Sequence, residues 1–322
     1  MVKPMILKIS PKDASSDEQC LALKLLCECF NDACSLVKYA CNGGLMELFT
    51  KYPYYKPAWI FIVKDGSEVA SILYILNRLI RLNGEIIKVG GVAGVCTSSK
   101  YRGKGYATKL LEYAVDELKG DYDALALFTT YGSIAYSIYR KIGFRDIYLR
   151  EYGIVPAIDL REINNKEWSI SSASESDADA LLRIYNSETY DLDGVLVRDS
   201  DYVRDQVIEA TWLRLTRGIN VNTLKLTNGT DTVAYALITG IDDGVVNVEE
   251  IASINCESAL TLLNHIIKVN GAKSLRIYAK PNELKCLNAQ VFKVPNTYMM
   301  MNLGGIDYGE IKRPYIYRVD QW

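Results

Sequence analysis

A single histidine in 322 residues removes the usual zinc chemistry from consideration. A zinc site would have to use cysteine alone, yet no Cys-x-x-Cys pair occurs, so no metal is expected. The one histidine, His265, lies in Leu262-Leu-Asn-His-Ile-Ile267 and reads as a packed or surface helical residue rather than a catalyst. No apolar run reaches transmembrane length, and Met1-Val-Lys-Pro-Met-Ile-Leu is too short for a signal peptide, so the expectation is a cytoplasmic protein with no membrane partner. Excess charge is missing as well. A formal net charge of −2 gives no global basic field that would recruit nucleic acid. Disorder is also disfavoured, because 49% of residues are apolar and 24% charged, the profile of a packed globular chain. Cysteine is the exception to this sparseness. Cys20, Cys27, Cys29, Cys34 and Cys41 cluster early, while Cys96, Cys256 and Cys286 are scattered. With Leu21, Leu23, Leu25, Leu26 and Phe30 around the cluster, these read as small buried apolar residues of reduced intracellular helices.

The chain is organised around residues 85–108. Glu85-Ile-Ile-Lys-Val-Gly-Gly-Val-Ala-Gly-Val-Cys-Thr97 is a run of small and β-branched residues, and so a strand. A Ser/Lys turn and Arg102-Gly-Lys-Gly-Tyr-Ala107 follow, and then Ala107, Leu110, Leu111, Ala114, Val115 and Leu118 recur at helical spacing. A strand, a glycine turn and a helix start make an anion site, because backbone N–H groups at the helix N-terminus point outward and the macrodipole adds positive charge. Gly103 and Gly105 let the backbone approach the anion closely, and Arg102 and Lys104 add charge at the rim.

The context is equally ordered. Asp17–Phe30 and Asn31–Thr50 read as two helices, the second broken at Asn42-Gly-Gly44. Trp59–Val63 and Glu68–Leu82 read as strands around Asp65-Gly66, and Asn83-Gly84 turns into the central strand. Ala124–Phe128 is a further strand, and Tyr131-Gly-Ser-Ile-Ala-Tyr-Ser-Ile-Tyr-Arg-Lys-Ile-Gly-Phe144 follows it.

The spacing Arg102-x-x-Gly105-x-Ala107 resembles motif A of the GCN5-related N-acetyltransferase (GNAT) superfamily, and the element order is that family's order. The stretch 131–144 resembles its motif B. Ala135, Tyr139, Gly143 and Phe144 fall in register, but Gly132 stands where the family usually has Asn. The resemblance implies a fold of mixed, mostly antiparallel sheet flanked by helices, and acetyl-coenzyme A as cosubstrate with an amine as acceptor. It implies that Arg102, Gly103, Lys104, Gly105, Tyr106, Ala107 and Thr108 hold the pyrophosphate. Val95, Cys96 and Thr97 would meet the pantetheine arm through their main chain, and Ser133 and Tyr136 would join the cofactor-binding set. Tyr139 would be the general acid that protonates the departing thiolate. The strand before motif A carries no acid beyond Glu85, so no general base is assigned.

The second half repeats the first at an offset of roughly 160 residues, too long for a solenoid repeat and right for a duplicated domain. Ser176–Asn186 and Tyr202–Arg217 read as helices, and Thr223–Thr227 and Thr232–Ile238 as strands around Asn228-Gly229. Val245–Ala252 is a strand, Ser258–Val269 a helix and Ser274–Ala279 a strand. Where the glycine turn should recur the chain reads Ser253-Ile-Asn-Cys-Glu-Ser-Ala259, and Glu257 would repel a pyrophosphate. The expected organisation is thus an α+β tandem, with a catalytic GNAT domain over residues 1–160 and a degenerate copy without the coenzyme A motif over 161–322. This arrangement is similar to the enhanced-intracellular-survival-type acetyltransferases without their third domain, so no role as a base passes to the carboxylate of Trp322. Tyr315-Ile-Tyr-Arg-Val319 alternates like an added strand. The expected activity is direct acetyl transfer from acetyl-CoA to an amine of a small molecule or protein. The alternative from another class is an acyl-CoA-binding regulatory module without turnover. A dinucleotide-dependent oxidoreductase is disfavoured because Gly103-x-Gly105 lacks a third glycine and follows a meander. Self-association is left open by the sequence.

Overall fold

Asn83 and Gly84 both adopt left-handed backbone (φ 52° and 81°), as a two-residue hairpin turn between twisted strands requires. This turn joins β3 (Glu68–Leu82) to β4 (Glu85–Thr97), and Gly66 (φ 66°) joins β2 (Pro57–Asp65) to β3. With β1 (Met5–Ile9) along β2, four antiparallel strands are in place before the chain reaches the glycine turn. The computed structural model describes residues 4–157, 167–307 and 311–322, so the expected domain boundary near residue 160 lies outside the described residues.

The helices α1 (Ser16–Cys29), α2 (Cys34–Cys41) and α3 (Leu45–Lys51) separate β1 from β2. Ser15 caps α1 in a reciprocal box with Glu18. After β4 come α4 (Tyr106–Leu118), β5 (Ala124–Thr130), α5 (Ile134–Ile142) and β6 (Arg145–Pro156). The second half runs β7 (Trp168–Ser172), α6 (Ala178–Thr189), α7 (Ser200–Tyr202), α8 (Thr211–Arg217), β8 (Asn222–Asn228), β9 (Asp231–Asp242) and β10 (Val245–Ser253). It ends with α9 (Cys256–Asn270), β11 (Ser274–Ile277), α10 (Pro281–Cys286) and β12 (Gln290–Asn302).

All twelve strands form one sheet in the order β1-β2-β3-β4-β5-β12-β6-β11-β10-β9-β8-β7. Among the described strands only β4–β5 and β10–β11 run parallel, at equivalent places in the two halves. The middle of the sheet is exchanged. β6 leaves the first half and pairs with β11, while β12 returns from the far end of the chain to pair with β5 over Ala124–Thr130. Side-chain alternation along β12 then serves both faces. Met299 packs with Leu125, Leu127 and Tyr139 in the core under α4, and Met300 packs with Ala124 and Ala126 on the opposite face. The buried stripe of α4, Leu110, Leu111, Ala114, Val115 and Leu118, covers β2 to β5 on the first face, while α1 covers Ile60, Ile62 and Ile72 on the second.

Three expectations are corrected. Residues 202–217 do not form one helix, because Ala210 turns left-handed (φ 44°) and separates a π-helical stretch, Val203–Ile208, from α8. Tyr315–Val319 is not a sheet strand. Its start hangs on Asp193 through a hydrogen bond from the Tyr315 amide, and it ends in a 3-10 turn at Arg318–Asp320. Nor are the cysteines reduced. Cys20–Cys41 and Cys27–Cys34 staple α1 to the two ends of α2, Cys29–Cys96 ties α1 to β4, and Cys256–Cys286 ties α9 to α10. Apolar neighbours announced burial correctly but could not announce pairing, which depends on Cα separations of 4.5 to 6.0 Å set by the fold. Such links each contribute about 2–4 kcal/mol.

The last residues are held by a buried ion cluster. The Arg198 guanidinium donates two 2.7 Å bonds to Glu250 and one of 3.0 Å to Asp320, while the Tyr202 and Tyr235 hydroxyls donate to Asp320 and Glu250. Two residues beyond Asp320, the indole of Trp322 lies against Gly91 of β4, where a Cβ would come within 2.7 Å of the indole Nε1.

Candidate active site

The strand β4 is interrupted at the point that matters. Its register against β3 slips between Ala93 and Cys96, so that one extra residue is accommodated at Gly94-Val95, with Gly94 left-handed (φ 59°). On its other edge β4 pairs with β5 only from Val89↔Ala124 to Gly91↔Ala126. Beyond Gly91 the two strands part, and β5 continues to Thr130 against β12. The bulged stretch Val92–Thr97 therefore faces an opening instead of a neighbouring strand. Extended backbone along such a wedge can hydrogen-bond a linear amide-bearing ligand.

The wedge leads to the turn. Gly103 (φ 79°) and Gly105 (φ 76°) are left-handed, and no atom lies within 4 Å of where a Cβ would stand on either. Gly105 is the N-cap of α4 and brings no side chain to bond the first-turn amides. Those amides have no partner inside the helix by its geometry, so they face open space with the dipole behind them. An anion fits there without displacing anything.

The surrounding side chains brace this turn. Tyr106 is buried and its hydroxyl donates to Asp65 at 2.9 Å, which fixes the first turn of α4 to the β2–β3 hairpin. Arg102 Nε donates to the carbonyl of Thr97 at 3.2 Å, and the Lys104 ammonium lies 4.7 Å over the Tyr101 ring. Neither Arg102 nor Lys104 has an acidic partner among the described residues. Lys100 differs, since it is spent on Glu68 at 2.7 Å, with the Tyr101 hydroxyl on the same carboxylate. Thr97 Oγ1 sits 2.8 Å from Ser71 Oγ, and Cys96 is buried in its disulfide. Val95 packs at the margin of the α4 core, and Ala107 and Thr108 continue the first turn of α4, half-buried.

The remaining candidates stand on α5, which packs on α4 and β5. Ser133 caps this helix, accepting from the Tyr136 amide at 3.1 Å. The Tyr136 hydroxyl donates to Asp146 at 2.8 Å, which pushes its pKa up to about 12. Tyr139 is 6% exposed and packs edge-on against Phe144, with ring centroids 5.8 Å apart. Burial pushes its hydroxyl up to about 12, so it carries its proton at neutral pH and is suited to donating rather than accepting one. Ten of the candidates are thus contiguous along the wedge and turn, and three stand on the adjoining helix.

Several neighbours were invisible to sequence reasoning. The Trp322 ring lies 5.0 Å from Phe128 and under the Arg78 guanidinium at 5.4 Å, so the second face of the wedge is lined from β3, β5 and the end of the chain. No local pattern links such distant positions. The second half has the matching parallel pair, Val245–Val248 against Ser274–Ile277. At its helix start Asn255 caps the Ser258 amide with its own side chain, Glu257 occupies the first turn, and Cys256 is tied to Cys286. The amides that stay open at α4 are partly closed at α9.

Comparison with known proteins agrees with this geometry. A family model described as an acetyltransferase (GNAT) domain matches residues 10–147. An N-alpha-acetyltransferase of Saccharolobus solfataricus is 28% identical over 122 residues, covering 32% of this chain and 70% of that protein. Among solved structures, Eis1 from Mycobacterium abscessus superposes with a TM-score of 0.63 at 13% identity, over 94% of this chain and 74% of its own. A tandem GNAT protein from the clavulanic acid biosynthesis pathway superposes with a TM-score of 0.52 at 10% identity, over 95% of this chain and the whole of its own. At these identities the two structures establish a shared tandem fold.

Proposed function

We propose that the chain, whose residues 10–147 match a GNAT acetyltransferase domain, is an N-acetyltransferase that moves acetyl from acetyl-CoA directly to an amine, using one site in the first half. The observation that carries the reading is the parting of β4 and β5 beyond Gly91, directly upstream of an uncapped helix start on two left-handed glycines. GNAT proteins use acetyl-CoA as cosubstrate, which supplies the activated acetyl group when bound. In this reading the amides at the start of α4 hold the pyrophosphate, with Arg102 and Lys104 at the rim. The backbone of Val95–Thr97 pairs the pantetheine amides, and Ser133 and Tyr136 border the cofactor from α5. One amide of the bulge polarises the thioester carbonyl. The acceptor nitrogen bonds to the carbonyl carbon as the carbon–sulfur bond breaks, the nitrogen loses a proton to solvent, and Tyr139 donates its hydroxyl proton to the departing sulfur.

The same reading divides the chain into a catalytic unit, residues 1–160, and a silent copy, residues 161–322. The capped, acidic start of α9 supports this division. No helix among the described residues is long and apolar enough to cross a membrane. A cytoplasmic location matches the cosubstrate, and intracellular proteins rich in disulfides are known from hyperthermophiles.

Thiol release from acetyl-CoA with a panel of amines tests the reading, because a binding module without turnover would release none. Tyr139→Phe keeps the ring against Phe144 and removes only the proton donor. It is expected to lower turnover on the order of 10²-fold, the lower end for a positioned acid, since thiolate leaves readily and water partly substitutes. Coenzyme A affinity should be unchanged. Tyr136→Phe should stay near the wild-type rate, because its hydroxyl is engaged with Asp146. Wild-type turnover by Tyr139→Phe would make Tyr139 a packing residue.

A further inference from the structure

A cavity of about 410 Å³ opens beside the first half's sheet, between the loop after β1, the 3-10 turn Pro53–Tyr55, the start of β2 and Asn77-Arg78 of β3. Three of its lining residues are cations, Lys12, Lys56 and Arg78. Among the described residues none of the three has an ion-pair partner. Arg78 is the telling one. It is 9% exposed, yet among the described residues its guanidinium's one hydrogen bond is from Nη1 to the carbonyl of Asn77 at 2.9 Å, with its face over the Trp322 ring. A guanidinium normally enters the interior with a carboxylate or phosphate, because burying the charge alone is costly. Asp199 accepts from the hydroxyl of the lining residue Tyr54 at 2.5 Å and from the Tyr202 amide. Asp320 acts on Arg78 through its charge but gives its Oδ1 to Arg198 and Tyr202, so among the described residues no carboxylate bonds the Arg78 guanidinium directly.

Position separates this cavity from the cofactor's phosphates. Arg78 is in register with Val89 on β4, whereas the glycine turn begins after Thr97. Eight residues of strand set the two roughly 25 Å apart. The point where β4 leaves β5, Gly91, lies between them, and Trp322 touches both Gly91 and Arg78. An amine held at the wedge would thus have pyrophosphate-binding amides on one side and a cationic cavity on the other.

We propose that this cavity is the acceptor's anchoring site, and that the acceptor is an amine carrying an anionic group, carboxylate or phosphate, held by Arg78, Lys12 and Lys56. The proposal rests on the acetyltransferase reading for its word acceptor, but the anion site stands on its own residues. A planar guanidinium offers two parallel donors to either oxyanion, and the two lysines add unshielded charge at the mouth. Neutral amines and polyamines would leave all three cations without a counter-ion.

Matched probes test this with the whole chain saturated in coenzyme A: O-phosphoethanolamine against ethanolamine, and glycine against glycinamide, each titrated calorimetrically. At least one anionic member should bind tenfold or more tighter than its neutral partner, and which pair shows it distinguishes phosphate from carboxylate. Arg78→Gln should erase the preference without changing coenzyme A affinity. Lys56→Gln, at a half-exposed position that should not disturb folding, should weaken the anionic member severalfold. Equal binding within both pairs, no binding of either anionic probe at millimolar concentration, or an unchanged preference in both variants would overturn the anion site. Thiol release run beside the titrations keeps the two readings apart. Anion preference without any thiol release would sink the transferase reading alone, and thiol release with neutral amines preferred would sink the anion site alone.

Discussion

Expressed without residues 161–322, the first half should aggregate or remain unfolded, with no measurable coenzyme A binding. The reason lies in the exchanged strands. β5 is hydrogen-bonded to β12 over Ala124–Thr130, and β6 is held between β12 and β11. Cutting the chain near residue 160 removes β11 and β12 and leaves one edge of β5 and both edges of β6 unpaired, a ready template for intermolecular pairing. It also strips both faces of the first core. Tyr298, Met299 and Met300 are at most 1% exposed, and Trp322 covers Gly91. Losing one buried methionine side chain costs about 2–5 kcal/mol, and a whole strand of them rivals the total stability of a domain, about 5–15 kcal/mol. Size-exclusion chromatography and circular dichroism of the fragment are sufficient readouts. A soluble monomeric half that binds coenzyme A with full affinity would show that β12 is dispensable.

Replacing Gly105 with valine should lower coenzyme A affinity by at least 100-fold while the chain still folds. Two effects combine at this one position. The residue is left-handed, where a β-branched side chain costs about 1–3 kcal/mol, and the added methyls would stand in the open space over the turn that the pyrophosphate takes in the proposed complex. The strain alone would lower the melting temperature by a few degrees. The steric effect acts only on binding, so calorimetry separates the two. Gly120, also left-handed and open but at the far end of α4, is the control position. Gly120→Val should bear the same strain and bind normally. Similar affinity in wild type and Gly105→Val would move the phosphate site elsewhere.

The parts of this molecule that were legible from its amino acids are those built by neighbours in sequence. Asp65-Gly66 and Asn83-Gly84 do close hairpins, and the period of Leu110, Leu111, Ala114, Val115 and Leu118 does bury one face of a helix. The glycine turn leaves Gly103 and Gly105 open to solvent, as the close approach read from their lack of a Cβ requires. The tandem was legible too, because each half repeats the same local signals in the same order. What was not legible depends on which distant segments meet. Gln290–Asn302 carries ordinary strand residues, but nothing local says that it inserts between β5 and β6. The long apparent helix at 202–217 breaks at Ala210, where tertiary packing overrides a good helix former. The cysteines paired because α1 lies against α2 and β4, a juxtaposition the apolar pattern alone did not specify. The cavity around Arg78 needed four separate elements and the end of the chain to assemble.

The central claim is that one coenzyme A site exists per chain and lies at the α4 turn of the first half. Titrating the intact chain with coenzyme A tests it most directly, read for stoichiometry in the wild type and in Gly105→Val. One equivalent in the wild type and none in the variant is the predicted result. Two equivalents in the wild type, or one equivalent persisting in Gly105→Val, would contradict it.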